Sequence, residues 1–425
     1  MINLSIDQTK ALQNIDALFK NIHREQILTG SPGAGKSFLT AKVIEQAKLA
    51  GYQLILAATT HPAAKVLADF TGYQVITLHK LLDLKVINDY VTNTTHIEQH
   101  VNRAGPMIEQ LVDTSYPVLA IVDEASYIDD EINSYIEKAL IRYPKLVILY
   151  VGDQDQLPPV GSETPHVFTT GKPTSILTTD HRYDTTSQMA SIVKELKKNI
   201  QDKSYFLIDI KQGKDITLVD ENGMGNKMYE LYTSNEYKEN PYYVKSMAYR
   251  NIVVDNINNH IRGYFYSEPT YQKGERLIVN APLVRQKKVL ANNGDIVTVT
   301  GNWPTEIRGV KGQQLHLETL DGDRFTAIVT KEFKQKSKQR LKLVKEQNWK
   351  ELYRFMESFI EVKDMYASTI HKAQGATYNN VMLHLEDLVE CQDHTLLARL
   401  LLVAVSRASE HVYVYGSVPK SLMRS

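Results

Sequence analysis

The sequence predicts an α/β protein with two parallel-sheet cores, each interrupted by an inserted β element. Three observations carry that expectation. The first is a set of short, continuous apolar runs, "REQILTG", "QLILAAT", "PVLAIVDE" and "KLVILYVGD", each bounded by polar or turn-forming residues. Such runs suit strands buried on both faces of a parallel sheet beneath covering helices. The second is a return of the pattern in the C-terminal half, in "YVKSMAYRN", "YNNVMLHLED" and "EHVYVYG", with helical periodicity at residues 252–261 and 394–405 between them. The third is that the pattern breaks twice, into shorter β-rich stretches with turn residues.

In chain order, "REQILTG" ends at Gly30 and passes through a glycine-rich turn into a helical stretch. That stretch has apolar residues at Leu39, Val43, Ile44 and Ala47 and is closed by Gly51. The first break, "KVINDYVTNTTHIEQHV", reads as two β runs about an "NTT" turn, a hairpin at about residues 84–103 inside a first core of residues 1–180. The second core is expected from residues 181–270 and 356–425. Between its halves, residues 271–355 read as a small β-barrel domain, in "GERLIVN", "NNGDIVTVTG" and "GQQLHLETLDGDRFTAIV". The run "KEFKQKSKQRLK" puts Lys334, Lys336, Lys338, Arg340 and Lys342 at period two, which predicts an extended strand with one basic face. That face suits either a phosphate backbone or a sheet edge guarded by lysines. Trp349 opens a helical pattern continued by Leu352, Met356 and Phe359, with core packing expected and contact with a base or the hairpin as the second reading.

Bulk properties exclude some classes. The 49 basic and 49 acidic residues cancel, so any nucleic-acid contact must come from local grooves rather than global charge. A single cysteine, Cys391, excludes an internal disulfide and fits a reducing compartment. "MINLSIDQTK" lacks a basic, apolar leader, and the most apolar stretch, "LLARLLLVAV", is too short for a bilayer and contains Arg399. An intracellular, cytoplasmic protein without a membrane partner is expected.

Three motifs carry chemistry. "GSPGAGKS" matches G-x-x-x-x-G-K-[ST] between a strand and a helix. There Gly30, Pro32, Gly33, Ala34 and Gly35 form a cradle for phosphates, Lys36 reaches the β and γ phosphates of ATP, and the Ser37 hydroxyl meets Mg²⁺. "IVDEAS" ends an apolar strand in two acids, Asp123 for the metal shell and Glu124 to activate water. In "VGDQDQLPPV" Gln156 follows a buried strand at the edge where a γ-phosphate would be reached.

These motifs together resemble those of superfamily-1 DNA helicases, and within them the RecD-like group, superfamily 1B, over nearly the whole chain. The resemblance implies two RecA-like P-loop NTPase-type cores, ATP-driven 5′→3′ movement on single-stranded DNA, and separation of duplex strands. It assigns Gln8 in "SIDQTKAL" to adenine, and "LTTDHRY" and "VAVSRASE" bring Arg182 and Arg407 to the γ-phosphate. An arginine placed across a cleft stabilises charge on the transferred phosphoryl group, which couples turnover to closure. Thr60, His61 and Lys65 in "AATTHPAAK", and Thr77 and His79 in "ITLHKLL", are implied to hold the single strand. In "ASTIHKAQGATYNN", Thr369 and His371 are implied to touch DNA while Gln374 and Gly375 lie near the γ-phosphate. Tyr90 and the hairpin at residues 93–96 are candidates for the wedge that splits the duplex. Arg250 departs from the small or threonine residue of the family. Single-stranded and forked duplex DNA are the expected substrates, single-strand-binding or replication proteins the expected partners, and a monomer the expected state. A nucleotide-switched ATPase that grips and remodels DNA without unwinding it stays open as a second reading.

Overall fold

The structure, a computed structural model, describes residues 4–158, 165–179, 187–202, 210–285 and 288–418. The chain divides into two compact units, one of residues 1–84, 99–255 and 368–425, the other of residues 85–98 and 256–367.

The first unit holds two sheets. The six-stranded sheet runs in the order Val75–Thr77, Gln53–Ala58, Val118–Asp123, Leu146–Gly152, Glu25–Gly30, Thr174–Leu177, with every neighbouring pair parallel. Its central strands are the apolar runs of the sequence, and Leu146–Gly152 is buried at every residue. Helix Lys36–Leu49 buries Leu39, Val43, Ile44 and Ala47, the stripe that its periodicity marks out. The edge strand Thr174–Leu177, alternately exposed and buried, was not anticipated.

The five-stranded sheet runs Ala367–Thr369, Val244–Ala248, Tyr378–His384, Ala408–Tyr415, Ile216–Val219. Its pairs from Val244–Ala248 through Ile216–Val219 are parallel. Helix His394–Ser406 is buried continuously from Leu397 to Ser406. It packs with helix Gln188–Gln201 in one apolar cluster that includes Met189, Ile192, Leu196, Leu397 and Leu400. A helix apolar on all sides belongs inside a core, which explains the "LLARLLLVAV" run. No described helix is long and apolar enough to cross a membrane.

The second unit contains a five-stranded antiparallel sheet, ordered Arg324–Val329, Val310–Thr319, Ile296–Ile307, Arg276–Val279, Val362–Asp364. The hairpin strands are Leu84–Asp89 and Thr94–Gln99. The turn between them falls at residues 90–93, not at "NTT": the Asp89 carboxylate accepts from the Val91 and Thr92 N–H groups, and Asn93 takes φ 62°.

The basic run is a helix, Phe333–Lys345, and not the extended strand expected from its period-two lysines. Lys, Gln, Arg and Leu are all strong helix formers, and the two residues it buries, Arg340 and Leu343, stand three apart as one helical face requires. The five basic residues are therefore dispersed. Lys334, Lys338 and Lys342 are exposed, Lys336 lies over the Phe359 ring, and Arg340 is buried. Helix Trp349–Met356 buries Leu352 and Phe355 but leaves Trp349 45% exposed, so Trp349 is not the core residue its position suggested.

Arg340 fixes the hairpin. Its Nη1 donates to the carbonyls of Tyr90 and Val91 at 2.8 and 2.9 Å, and the Tyr90 ring meets Tyr353 edge-on at 5.3 Å. Losing these bonds strands two carbonyls, a cost of about 1–3 kcal/mol. Arg340→Ala is expected to speed amide exchange across residues 85–98 while the antiparallel sheet keeps its protection. Unchanged exchange at the hairpin would show that Arg340 does not hold it.

Candidate active site

The carboxyl ends of the six-stranded sheet gather the motif residues. The loop from strand Glu25–Gly30 to helix Lys36–Leu49 depends on its glycines. A Cβ on Gly30 would stand 2.9 Å from the Leu177 Cβ, and Gly33 and Gly35 take φ of 91° and 80°. Gly35 is the N-cap and no side chain caps the helix, so its first-turn N–H groups are available to an anion. Pro32 and Ala34 are buried in the loop, and the Ser37 side chain is exposed beside it. The Lys36 ammonium donates to the Gly30 and Ser31 carbonyls at 2.6 and 2.9 Å. Burial lowers its pKa, and Asp153, Glu124 and Asp123 oppose that shift. Gln8 lies against the same loop: its Oε1 accepts from the Ser5 N–H at 3.1 Å, and its Nε2 donates to the Ala34 carbonyl at 3.5 Å.

Asp123 ends strand Val118–Asp123, and Glu124 follows in the left-handed region at φ 52°, a costly conformation for a residue other than glycine. Burial and the adjoining Glu124 push the Asp123 carboxyl up to about 7, against the Glu124 N–H and Lys36. A carboxyl pushed up by burial and a like charge, with the hydroxyl of Ser37 next to Lys36 in the chain, supplies oxygen donors of the kind a hard divalent cation takes. Among the described residues no three or more His, Cys, Asp or Glu are grouped for a metal. The donors instead match a cation that keeps water or phosphate oxygens in its shell.

Gln156 is buried after strand Leu146–Gly152, and its Oε1 accepts from Gln374 Nε2 at 3.1 Å. Gln374 also reaches Ser126 Oγ at 3.4 Å. The neighbouring Gly375, at φ 86°, lies close enough that a Cβ on it would stand 3.9 Å from Thr60 Oγ1. The polar segment thus touches the sheet-edge loops on one side and Thr60 on the other. Arg407, 4% exposed, is the C-cap of helix His394–Ser406 and donates to the Ala376 carbonyl at 3.1 Å. It also opposes the upward shift that burial and Glu124 impose on the Tyr127 hydroxyl, which places it in the field of that turn. Arg182 lies outside the described residues.

Two of the residues assigned to DNA cap helices. Thr60 caps helix His61–Thr71 by accepting from the Ala63 N–H at 3.3 Å, and Thr77 caps Leu78–Leu81 through the Lys80 N–H at 3.3 Å. Thr369 begins helix Ile370–Ala373 with no side-chain cap bond. His61 and Lys65 are exposed. Burial lowers the pKa of both His79 and His371, and at His79 Asp129 and Glu131 oppose it. Tyr90 belongs to the other unit. Arg250 holds Asp387, whose carboxylate also takes the Tyr249 and Arg250 N–H groups. Sequence reasoning missed Lys197, Gln201 and Arg399, which contact the loop at residues 153–156 from two helices of the other sheet.

The AAA domain family matches residues 3–219, and the UvrD-like helicase C-terminal domain matches residues 364–415. The chain is similar to the ATP-dependent DNA helicase dda of Enterobacteria phage T4, 24% identical over 97% of this chain and 99% of that protein. It is 34% identical to the ATP-dependent RecD2 DNA helicase of Deinococcus radiodurans over 34% of this chain and 17% of that one. Among solved structures, the Pif1 helicase from Bacteroides in complex with ADP-AlF3 and ssDNA superposes with a TM-score of 0.56 at 18% identity, covering 100% of this chain and 95% of that chain. A structure of two coordinating Pif1 helicases at forked dsDNA gives 0.57 at 17% identity, with the same coverage. At these identities the likeness establishes the fold.

The raised Asp123 pKa sets a pH dependence. Its folded pKa, about 7, exceeds the ordinary 3.8, so its proton stabilises the fold fully below pH 3.8 and that contribution is lost as pH rises through 7. In metal-free buffer, Asp123→Asn is expected to gain thermal stability relative to the parent as pH rises from about 5 to 7, because the parent must give up the proton that burial favours. Melting curves check this, and a difference constant across that range would mean the carboxyl is not held neutral.

Proposed function

Since the chain belongs to the AAA domain family, we propose that it is an ATP-dependent DNA helicase of superfamily 1B that moves 5′→3′ on single-stranded DNA and separates duplex strands. The observation that carries the reading is the Gln374–Gln156 hydrogen bond of 3.1 Å, on a segment whose next residue, Gly375, faces Thr60. It supports a short lever with the nucleotide loops at one end and the strand-holding residues at the other. The helicase name of the phage T4 relative, matched over 97% of this chain, supports the substrate class, and the polarity rests on the family resemblance.

In this reading the loop at residues 30–37 cradles the phosphates, Lys36 neutralises the β and γ groups, and Gln8 reads adenine. Ser37 and Asp123 hold Mg²⁺, which supplies charge neutralisation on phosphate oxygens. Glu124 takes the proton of the attacking water, while Arg407, together with Arg182, stabilises charge on the transferred phosphoryl group. Thr60, His61, Lys65, Thr77, His79, Thr369 and His371 line the path of the strand, and the hairpin bearing Tyr90 is the wedge. The division into cores 1–180 and 181–270 with 356–425, and an insert at 271–355, belongs to the same proposal, as do an intracellular setting, a monomeric state and single-strand-binding or replication partners.

Glu124→Gln is expected to bind ATP with near-parent affinity yet hydrolyse it at least about 10²-fold more slowly, because the base is lost and the shape kept. Equilibrium binding beside phosphate release measures both, and a parent-like rate would remove Glu124 from the role. Strand displacement on forked DNA tests the function itself, with unwinding expected only from a 5′ single-stranded tail. Unwinding from a 3′ tail alone would reverse the polarity. ATP hydrolysis without any unwinding would leave the remodelling ATPase as the function.

A further inference from the structure

We propose that Lys197 is a positioning residue for ATP turnover, tying the phosphate-loop residue Ser31 to the loop Asp153–Gln156 and thereby setting where Gln156 stands. The inference rests on the ATPase reading above and adds a residue that no motif contains.

Lys197 projects from helix Gln188–Gln201 with a side chain only 16% exposed. Its ammonium donates to Ser31 Oγ at 2.6 Å and stands 3.5 Å from Asp153 Oδ2 and 3.6 Å from Asp155 Oδ2. Both carboxylates are buried, Asp153 to 1% exposure and Asp155 to 5%. A low dielectric and a like charge close by both disfavour the charged form of a carboxylate. Burial and Asp153 accordingly push the Asp155 carboxyl up, while Lys197, the Gln201 amide and Arg399 hold it down. Asp153 is also the strongest charge partner of Lys36, and Lys36 feels Lys197 as a like charge. One carboxylate is thus shared between the phosphate-loop lysine and a lysine from the other sheet's helices.

The same loop is gripped a second time. Arg399, on helix His394–Ser406, donates to the Gln154 and Gln156 carbonyls at 3.0 and 2.7 Å. The two helices share one apolar cluster, so Lys197, Gln201 and Arg399 form a single support for the loop. Arg399 binds main-chain carbonyls and fixes the path of the loop regardless of its charge. Lys197 neutralises the charge of the loop and alone among these three reaches Ser31. Without the ammonium, Asp155 takes up a proton more readily and the loop loses its tie to the phosphate cradle. The Gln156 side chain, set to about a hydrogen-bond length, then loses its register with the γ-phosphate.

DNA-stimulated ATP hydrolysis by the full chain, followed from about pH 5.5 to 9, tests this in the parent, Lys197→Gln, Lys197→Arg, Asp155→Asn and the Lys197→Gln/Asp155→Asn pair. Lys197→Gln is expected to lower kcat about tenfold with KM for ATP changed less than about twofold, and to move the acid limb of the profile to higher pH. Lys197→Arg should restore most of the rate, and the cost of Lys197→Gln should shrink in the Asp155→Asn background, where one repelling acid is gone. A parent-like rate and profile for Lys197→Gln, an arginine variant as slow as the glutamine one, or an equal cost in both backgrounds would each overturn the proposal. If melting shows Lys197→Gln unfolded, Asp155→Asn decides: the proposal requires its acid limb to move to lower pH, and an unmoved limb refutes it. Absence of hydrolysis in the parent would instead remove the underlying ATPase reading.

Discussion

The burial of the Lys36 ammonium among carboxylates, at the carboxyl edge of the six-stranded sheet, is the constraint on which the other loops depend. A parallel sheet with helices on both faces leaves its strand ends as the place for polar chemistry. At that edge Lys36 is held by two carbonyls of its own loop and by the charges of Asp153, Glu124 and Asp123. An ion so enclosed is stable only while its partners keep their places, since removing one leaves an uncompensated charge. The turn at Asp123 and Glu124, the glycine-rich loop and the loop at residues 153–156 are therefore electrostatically interdependent. A change in the charge that any one of them faces is felt by the other two.

The five-stranded sheet joins this balance through side chains rather than through its backbone. Gln374, Lys197, Gln201 and Arg399 approach the loop at residues 153–156 from a short polar segment and two packed helices. Because the helices share an apolar core, and cores deform little, a displacement of one carries the other and with it the whole support. Arg407 caps the helix that bears Arg399. The residue proposed to meet the γ-phosphate and the residue holding Gln156 are thus mounted on one rigid element, two turns apart.

What the sequence discloses follows from the range of the interactions. Central strands were legible because burial on both faces demands an unbroken apolar run, and the phosphate loop because its glycines answer a local backbone demand. Thr174–Leu177 and Ile216–Val219 escaped notice because four-residue edge strands with exposed positions carry too little pattern. The basic run misled because lysines at period two also occur on a helix. The helix-forming composition of the run and the burial of Arg340 and Leu343, a tertiary fact, together decide for the helix. Lys197 and Arg399 were invisible for a related reason. Each is an ordinary helix residue in its own stretch, and its meaning lies in a loop or cradle far away in the chain.

The hairpin shows how such distant contacts reassign a residue. Strand Thr94–Gln99 is exposed at every position but Ile97, and a lone two-stranded ribbon is marginal in water. Its order must come from outside, and it comes from the helices at residues 333–356. Arg340 takes the Tyr90 and Val91 carbonyls, and the Tyr90 ring packs edge-on against Tyr353. Burial accordingly raises the pKa of the Tyr90 hydroxyl. A ring engaged in this way anchors the ribbon. At the tip, the exposed apolar side chain is Val91, flanked by the polar turn that Asp89 closes. The tip thus keeps its shape through Arg340 and Tyr90, which hold the ribbon from the helices while Val91 stands exposed beside them.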